Sequence, residues 1–273
     1  MPRIDKPVYV IGAGYTGGRL IDALPNGFAT GLSRSGPAIF DLDAGDTQPP
    51  DWPNAFDVVY TVPPVPEHSR LARFLDMLKT VPGRFVYLST SGVYGDRDGE
   101  LVDEQTPPAP ATDRAKRRLA DETELTHWAA DHQVDAIILR VPGIYGPGRL
   151  GLERLRKRTP VIAEIDANPG NRIHVDDLVS CCIAALDPDT PAGIYNVGDG
   201  DHRSSTWFAR EVARQAGLEE PPAISRIEAE REFGETRMSF LSESRRLDVT
   251  RMQTVLRPRL RYTDPVKGIA ASL

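Results

Sequence analysis

Cysteine is almost missing from this chain of 273 residues: Cys181 and Cys182 are the only two, side by side in an apolar stretch. That rules out a disulfide framework and offers no metal-ligand spacing, so buried thiols and no metal are expected. Positive charge is not in excess either, with 33 Lys and Arg against 39 Asp and Glu and a net charge of -6. A nucleic-acid partner, which needs a clustered basic surface, is therefore not expected. No apolar run approaches the roughly 20 residues of a membrane-spanning helix. The run from Val8 to Gly12 is also too short for a signal-peptide core, so a cytoplasmic protein without a membrane partner is the expectation. Apolar residues are not depleted: 40% hydrophobic and 26% charged residues describe an ordinary folding chain.

What is present is a rhythm. Val8 to Ile11, Phe28 to Leu32, Ala38 to Phe40, Asp57 to Val62, Arg84 to Ser89 and Ala136 to Arg140 are short continuous apolar runs, the pattern of strands buried on both faces. Helical spacing fills Thr16 to Leu24, Glu67 to Lys79 and Asp113 to Ala130 between them. The alternation predicts an α/β fold of Rossmann type, a doubly wound parallel sheet, over residues 1–142. Beyond Pro142 the chain turns Pro- and Gly-rich, with helices predicted near Asp176 to Leu186 and Ser204 to Ala216. Residues 143–273 are expected to form a smaller mixed substrate lobe, some of whose segments return to the first domain. Glu219 to Pro222 and Glu228 to Glu232 read as surface turns or loops.

Gly12-Ala13-Gly14-Tyr15-Thr16-Gly17 follows the first strand and opens a helix, the setting in which G-x-G-x-x-G signals a dinucleotide site. Gly12 allows the tight turn, Gly14 lets backbone approach a pyrophosphate, and Gly17 permits close helix-to-strand packing. The helix N-terminus favours the phosphate charge. The acidic residue that would bond the ribose hydroxyls of NAD about 20 positions on is missing. Ser33, Arg34 and Ser35 stand there instead, and Arg34 can pair with a 2′-phosphate, so NADP(H) is preferred over NAD(H). Asp41 suits the adenine amino group or a solvated turn equally, and Leu42, Val62 and Pro63 complete the expected cofactor wall.

Five ordered motifs extend the pattern: the glycine loop, Phe85-Val-Tyr-Leu-Ser-Thr-Ser-Gly-Val-Tyr-Gly95, Leu139-Arg-Val-Pro-Gly-Ile-Tyr-Gly-Pro-Gly-Arg149, Arg172-Ile-His-Val-Asp-Asp177 and Gly193-Ile-Tyr-Asn-Val-Gly198. Together they resemble the extended short-chain dehydrogenase/reductase family of epimerases, dehydratases and reductases, in an atypical form. The resemblance implies a hydroxyl at Thr90, with Ser91 beside it, that bonds the reacting oxygen. It also implies a Tyr-x-x-x-Lys pair in which the lysine, matched by Lys116, holds the nicotinamide ribose and lowers the tyrosine pKa. Thr112 stands in the tyrosine's place. An aliphatic alcohol cannot exchange a proton near neutrality as a tuned phenol does.

Three resolutions follow: Lys116 moves the proton, Tyr94 or Tyr145 reaches the site, or no chemistry occurs. The basic run around Lys116 also suits a solvated helix face. Arg149, Arg172 and His174, with Tyr94 and Tyr145, are the candidates for contacting substrate, although Asp176 with His174 equally suits a helix cap and both tyrosines suit packing. The expected function is an NADP(H)-dependent oxidoreductase or epimerase acting on a small polar carbonyl, hydroxyl or sugar-like substrate. The alternatives are a non-catalytic sensor or regulatory protein that binds the nicotinamide coenzyme, and a lyase that uses its coenzyme transiently. Helices 67–79 and 113–130 correspond by analogy to those through which relatives form a homodimer.

Overall fold

The computed structural model describes residues 2–35 and 38–273. β1 (Val8–Ile11) runs into α1 (Tyr15–Ala23), which returns to β2 (Ala29–Leu32). β3 (Asp57–Tyr60), α2 (Arg70–Asp76), β4 (Arg84–Thr90), the two-residue β5 (Leu101–Val102), α3 (Asp113–His132) and β6 (Asp135–Val141) follow. Then come β7 (Gly143–Tyr145), α4 (Leu152–Arg156), β8 (Val161–Ile162), β9 (Arg172–His174), α5 (Val175–Ala185) and β10 (Gly193–Asn196). The chain closes with α6 (Ser205–Gln215), β11 (Ala223–Ile224), α7 (Arg226–Glu232), α8 (Glu235–Leu241), β12 (Arg246–Leu247) and α9 (Pro265–Ala270).

Six strands form one sheet in the order β10-β6-β4-β3-β1-β2, with every pairing parallel. Strand side chains alternate between faces, so a continuous apolar run serves two cores at once. In β4, Val86 and Leu88 join Val10, Val59 and Leu139 under α5, whose Leu178, Cys181 and Cys182 are buried there. Phe85 and Tyr87 point the other way and pack with Tyr60, Phe74 and Leu125 against α2 and α3. Both cysteines are free, and burial pushes the Cys182 thiol up to about 12. No helix among the described residues is long and apolar enough to cross a membrane.

Three local expectations change. Ala38 to Phe40 is not a strand: a single bridge joins Ile39 to Ser33, Phe40 is buried against Phe74, and Ile39 is 73% exposed. The helix expected over 67–79 shortens to α2, because the Ser69 side chain accepts from the Ala72 N–H and sets its start. Glu228 to Glu232 is helical, since Ser225 and Glu228 form a reciprocal capping box that starts α7. β10, drawn from Gly193–Asn196, is the sixth strand of the sheet.

Candidate active site

The glycine loop is shaped by close backbone approach. Gly12 has φ +97°, and a Cβ there would lie 2.5 Å from the Thr61 hydroxyl. That hydroxyl donates to the Gly12 carbonyl at 2.6 Å and braces the turn from the end of β3. A Cβ on Gly17 would strike the Gly12 carbonyl oxygen at 2.3 Å, so only glycine lets α1 pack this tightly on β1. Above Gly14 nothing lies within 4 Å of such an atom, and no side chain caps the N-terminus of α1. Uncapped amides and open space fit the pyrophosphate of a dinucleotide.

A cavity of about 460 Å³ opens over this loop. Gly12, Gly14, Tyr15, Thr16, Ser33, Arg34, Ser35, Asp41, Leu42, Val62 and Pro63 all line it. Asp41 also accepts from the Asp43 N–H at 3.0 Å, so its carboxylate orders the local turn as well. Arg70, not foreseen from the sequence, lines the same cavity, where its guanidinium pairs with Asp43 and donates to the Pro63 carbonyl at 3.0 Å.

A second cavity of about 650 Å³ adjoins the first, and Ser89, Arg118, Val141, Ile144 and Arg149 line both. Thr90 and Ser91 face it from the end of β4. The Thr90 oxygen accepts from the Gly92 N–H at 3.2 Å, which leaves its own O–H to donate elsewhere. Tyr145 and Arg172 also line this cavity. The Tyr145 hydroxyl is buried without a hydrogen-bond partner, and burial, reinforced by Asp199, holds its pKa far above the ordinary phenol range. Burial lowers the Arg172 pKa, and Asp201 pairs with it at 2.9 Å.

Three expected site residues are placed elsewhere. Tyr94 is fully buried; its hydroxyl donates to the Asn196 side chain at 2.7 Å under the Arg140 guanidinium, so it packs the core and borders neither cavity. His174, with its pKa lowered by burial, bonds Ser272 and accepts the Asp176 N–H at Nδ1. His174 itself, not Asp176, is the cap of α5. Lys116 lines neither cavity: its side chain is 58% exposed and pairs with Asp113 at 3.3 Å.

The reason lies in the phase of α3. Thr112 is its N-cap, accepting from the Ala115 N–H, and the buried stripe then runs through Ala115, Glu122, Leu125 and Ala129. Arg118 falls on that stripe and Arg114 lies one turn before it, whereas Lys116 falls between them on the outer side. Arg118 lines both cavities, donating to the Val62 carbonyl at 3.3 Å and to the Tyr87 hydroxyl at 3.0 Å, while Arg114 lines the second. Tyr87 passes a hydrogen bond on to Asp121 at 2.8 Å. The available signal was a polar pair, Arg118 and Glu122, on an otherwise apolar helical stripe. Among the described residues no group of His, Cys, Asp and Glu could hold a metal ion.

Residues 71–198 match the NAD dependent epimerase/dehydratase family. Protein YeeZ of Escherichia coli (strain K12) is 31% identical over 138 residues, which cover 50% of this chain and 48% of that protein. The chain thus matches about half the length of such curated relatives. Across its whole length it is similar to a conserved protein of unknown function from Silicibacter pomeroyi, with TM-score 0.82, 29% identity and 98% of both chains covered. It also shares the fold of MoeE5, solved in complex with UDP-glucose and NAD, with TM-score 0.75, 22% identity and 97% of both chains covered.

Proposed function

We propose that the chain, whose residues 71–198 match the NAD dependent epimerase/dehydratase family, is an NADP(H)-dependent oxidoreductase or epimerase acting on a small polar carbonyl, hydroxyl or sugar-like compound. The observation that carries this reading is the junction of the two cavities at Ser89, Arg118 and Arg149, which joins the groove over the glycine loop to a second cavity. The bound nicotinamide would supply hydride chemistry. Residues 1–142 would hold the coenzyme, with β10 completing their sheet, and 143–273 would cover the substrate.

In this reading the uncapped amides of α1 and the open face of Gly14 receive the pyrophosphate. Arg34 and the Ser33 and Ser35 hydroxyls receive the 2′-phosphate, and Asp41, Leu42, Val62 and Pro63 flank the rest. Thr90 directs its O–H to the substrate oxygen, with Ser91 beside it, and Arg118 takes the place first given to Lys116. Tyr145 holds its proton tightly, so it orients substrate by hydrogen bonding and does not act as an acid near neutrality. Arg149 and Arg172 contact substrate polar groups.

Titration of the purified protein with NADPH and NADH tests the coenzyme half. NADPH should bind more tightly, and Arg34→Ala should weaken NADPH by about tenfold or more while leaving NADH nearly unchanged, as loss of one charge-assisted bond predicts. Equal losses for both coenzymes would cancel the 2′-phosphate assignment. One observation favours a second reading, a coenzyme-binding sensor without turnover: the face of α3 that lines the site presents arginines and no phenol. Tight NADPH binding with no loss of nicotinamide absorbance against panels of aldehydes, ketones and sugars would favour that reading.

A further inference from the structure

Arg118, the cation at the junction of the two cavities, is held from behind by a short chain of buried groups. Its Nη1 donates to the Val62 carbonyl at 3.3 Å and to the Tyr87 hydroxyl at 3.0 Å, and its guanidinium carbon lies 5.5 Å from the centre of the Tyr87 ring. Tyr87 is fully buried on β4 and donates in turn to Asp121 Oδ2 at 2.8 Å; Asp121 is itself only 5% exposed. Burial raises the Asp121 pKa, and the Tyr87 hydrogen bond and the Arg118 charge oppose that rise.

The donors and acceptors of these three groups allow one arrangement. A guanidinium only donates and an ionised carboxylate only accepts, so the phenol between them turns its proton to Asp121 and a lone pair to Arg118. A buried carboxylate is costly unless its charge is answered, and that of Asp121 is answered by Arg118 through the phenol. With Nη1 committed to Val62 and Tyr87, the opposite edge of the guanidinium, Nε with Nη2, is the one left for the cavity junction. That edge is a planar fork that matches two neighbouring oxygens. We propose that Tyr87 and Asp121 are positioning residues for the coenzyme: neither reaches it, and together they hold Arg118 with its fork turned to the junction, where the two hydroxyls of a ribose can be received. The inference rests on the reading of Arg118 as the group that holds the nicotinamide ribose.

Fluorescence titration of the full chain with NADPH tests this, with adenosine 2′,5′-bisphosphate, the adenine half of the coenzyme, as a second probe. Tyr87→Phe keeps the buried ring and removes only the hydroxyl. It should weaken NADPH by about fivefold, as loss of one hydrogen bond predicts, and leave the bisphosphate within about twofold. Asp121→Asn should weaken NADPH by a smaller factor, because the amide oxygen still accepts from Tyr87. Added to Arg118→Met, Tyr87→Phe should cost nothing more, since residues that act through one another are not additive. A purely structural role for Tyr87 would instead lower the melting temperature and act on NADPH equally with and without Arg118. Unchanged NADPH binding in Tyr87→Phe, the same loss in both backgrounds, or an equal loss of the bisphosphate would overturn the proposal and leave the coenzyme reading standing. No NADPH binding by the unaltered chain would sink both.

Discussion

Asp199 carries a proton at pH values where carboxylates are ordinarily ionised. It is 7% exposed, one of its oxygens has no partner, and burial pushes its pKa from 3.8 up to about 7 against the opposing pull of the Asp201 N–H and Arg172. Because the folded value lies above the unfolded one, the native state keeps a proton that the unfolded chain releases. Its contribution to stability is therefore complete below about pH 4 and declines as pH rises towards 7. The full shift corresponds to about 4 kcal/mol at most. Asp199→Asn, which mimics the protonated form, should raise the melting temperature at pH 8 and leave it unchanged at pH 4. An equal effect at both pH values would show that the carboxyl does not titrate in this window.

At the scale of elements, α3 decides which side chains meet the site. Lys116→Ala should leave NADPH affinity within about twofold, since its exposed side chain pairs with Asp113 and lines neither cavity. Arg118→Met, which removes a charge bordering both cavities, should weaken NADPH by about tenfold. Fluorescence titration of the two variants separates the two placements, and the opposite ranking would restore the lysine. The sequence made five of its six predicted strand runs, the glycine loop and most of this helix readable, because continuous apolar residues and glycines act locally. The phase of α3 was not readable from a Tyr-x-x-x-Lys template. It is set by the Thr112 cap and by burial of Ala115, Glu122 and Leu125, and Glu122 is stabilised on the core face by Arg140 at 2.8 Å. The same distinction explains Ile39, whose neighbours Phe40 and Leu42 bury without a ladder, and α7, whose capping box was legible in Ser225-Arg-Ile-Glu228. Arg245 and Glu243 had no sequence signal, because they reach the second cavity from a segment 130 residues past α3's first turn only through the fold.

Over the whole molecule, the sheet is completed late. β10 pairs with β6, and Asn196 accepts from the Tyr94 hydroxyl while donating to the Val102 and Asp248 carbonyls, so the strand is stitched to the turn after β4, to β5 and to the segment after β12. α5 contributes Leu178, Val179, Cys181 and Cys182 to the core beside Val10 and Leu20. A fragment of residues 1–142 would expose that face, leaving several large apolar side chains in water at about 1.5–3 kcal/mol each. It should show no cooperative thermal transition, whereas the full chain should melt in one; a sharp transition in the fragment would mean the first domain is self-sufficient.

Arg149 lies 3.8 Å over the ring of Tyr15, whose hydroxyl reaches back to the Pro147 carbonyl at 3.0 Å. The roof of one chamber and the threshold of the other are thus a single stacked pair, hung between the first turn of α1 and the Gly-Pro-Gly bend. Tyr15 lines the first cavity and Arg149 lines both, so a ligand in either chamber would lie beside one member of this stacked pair.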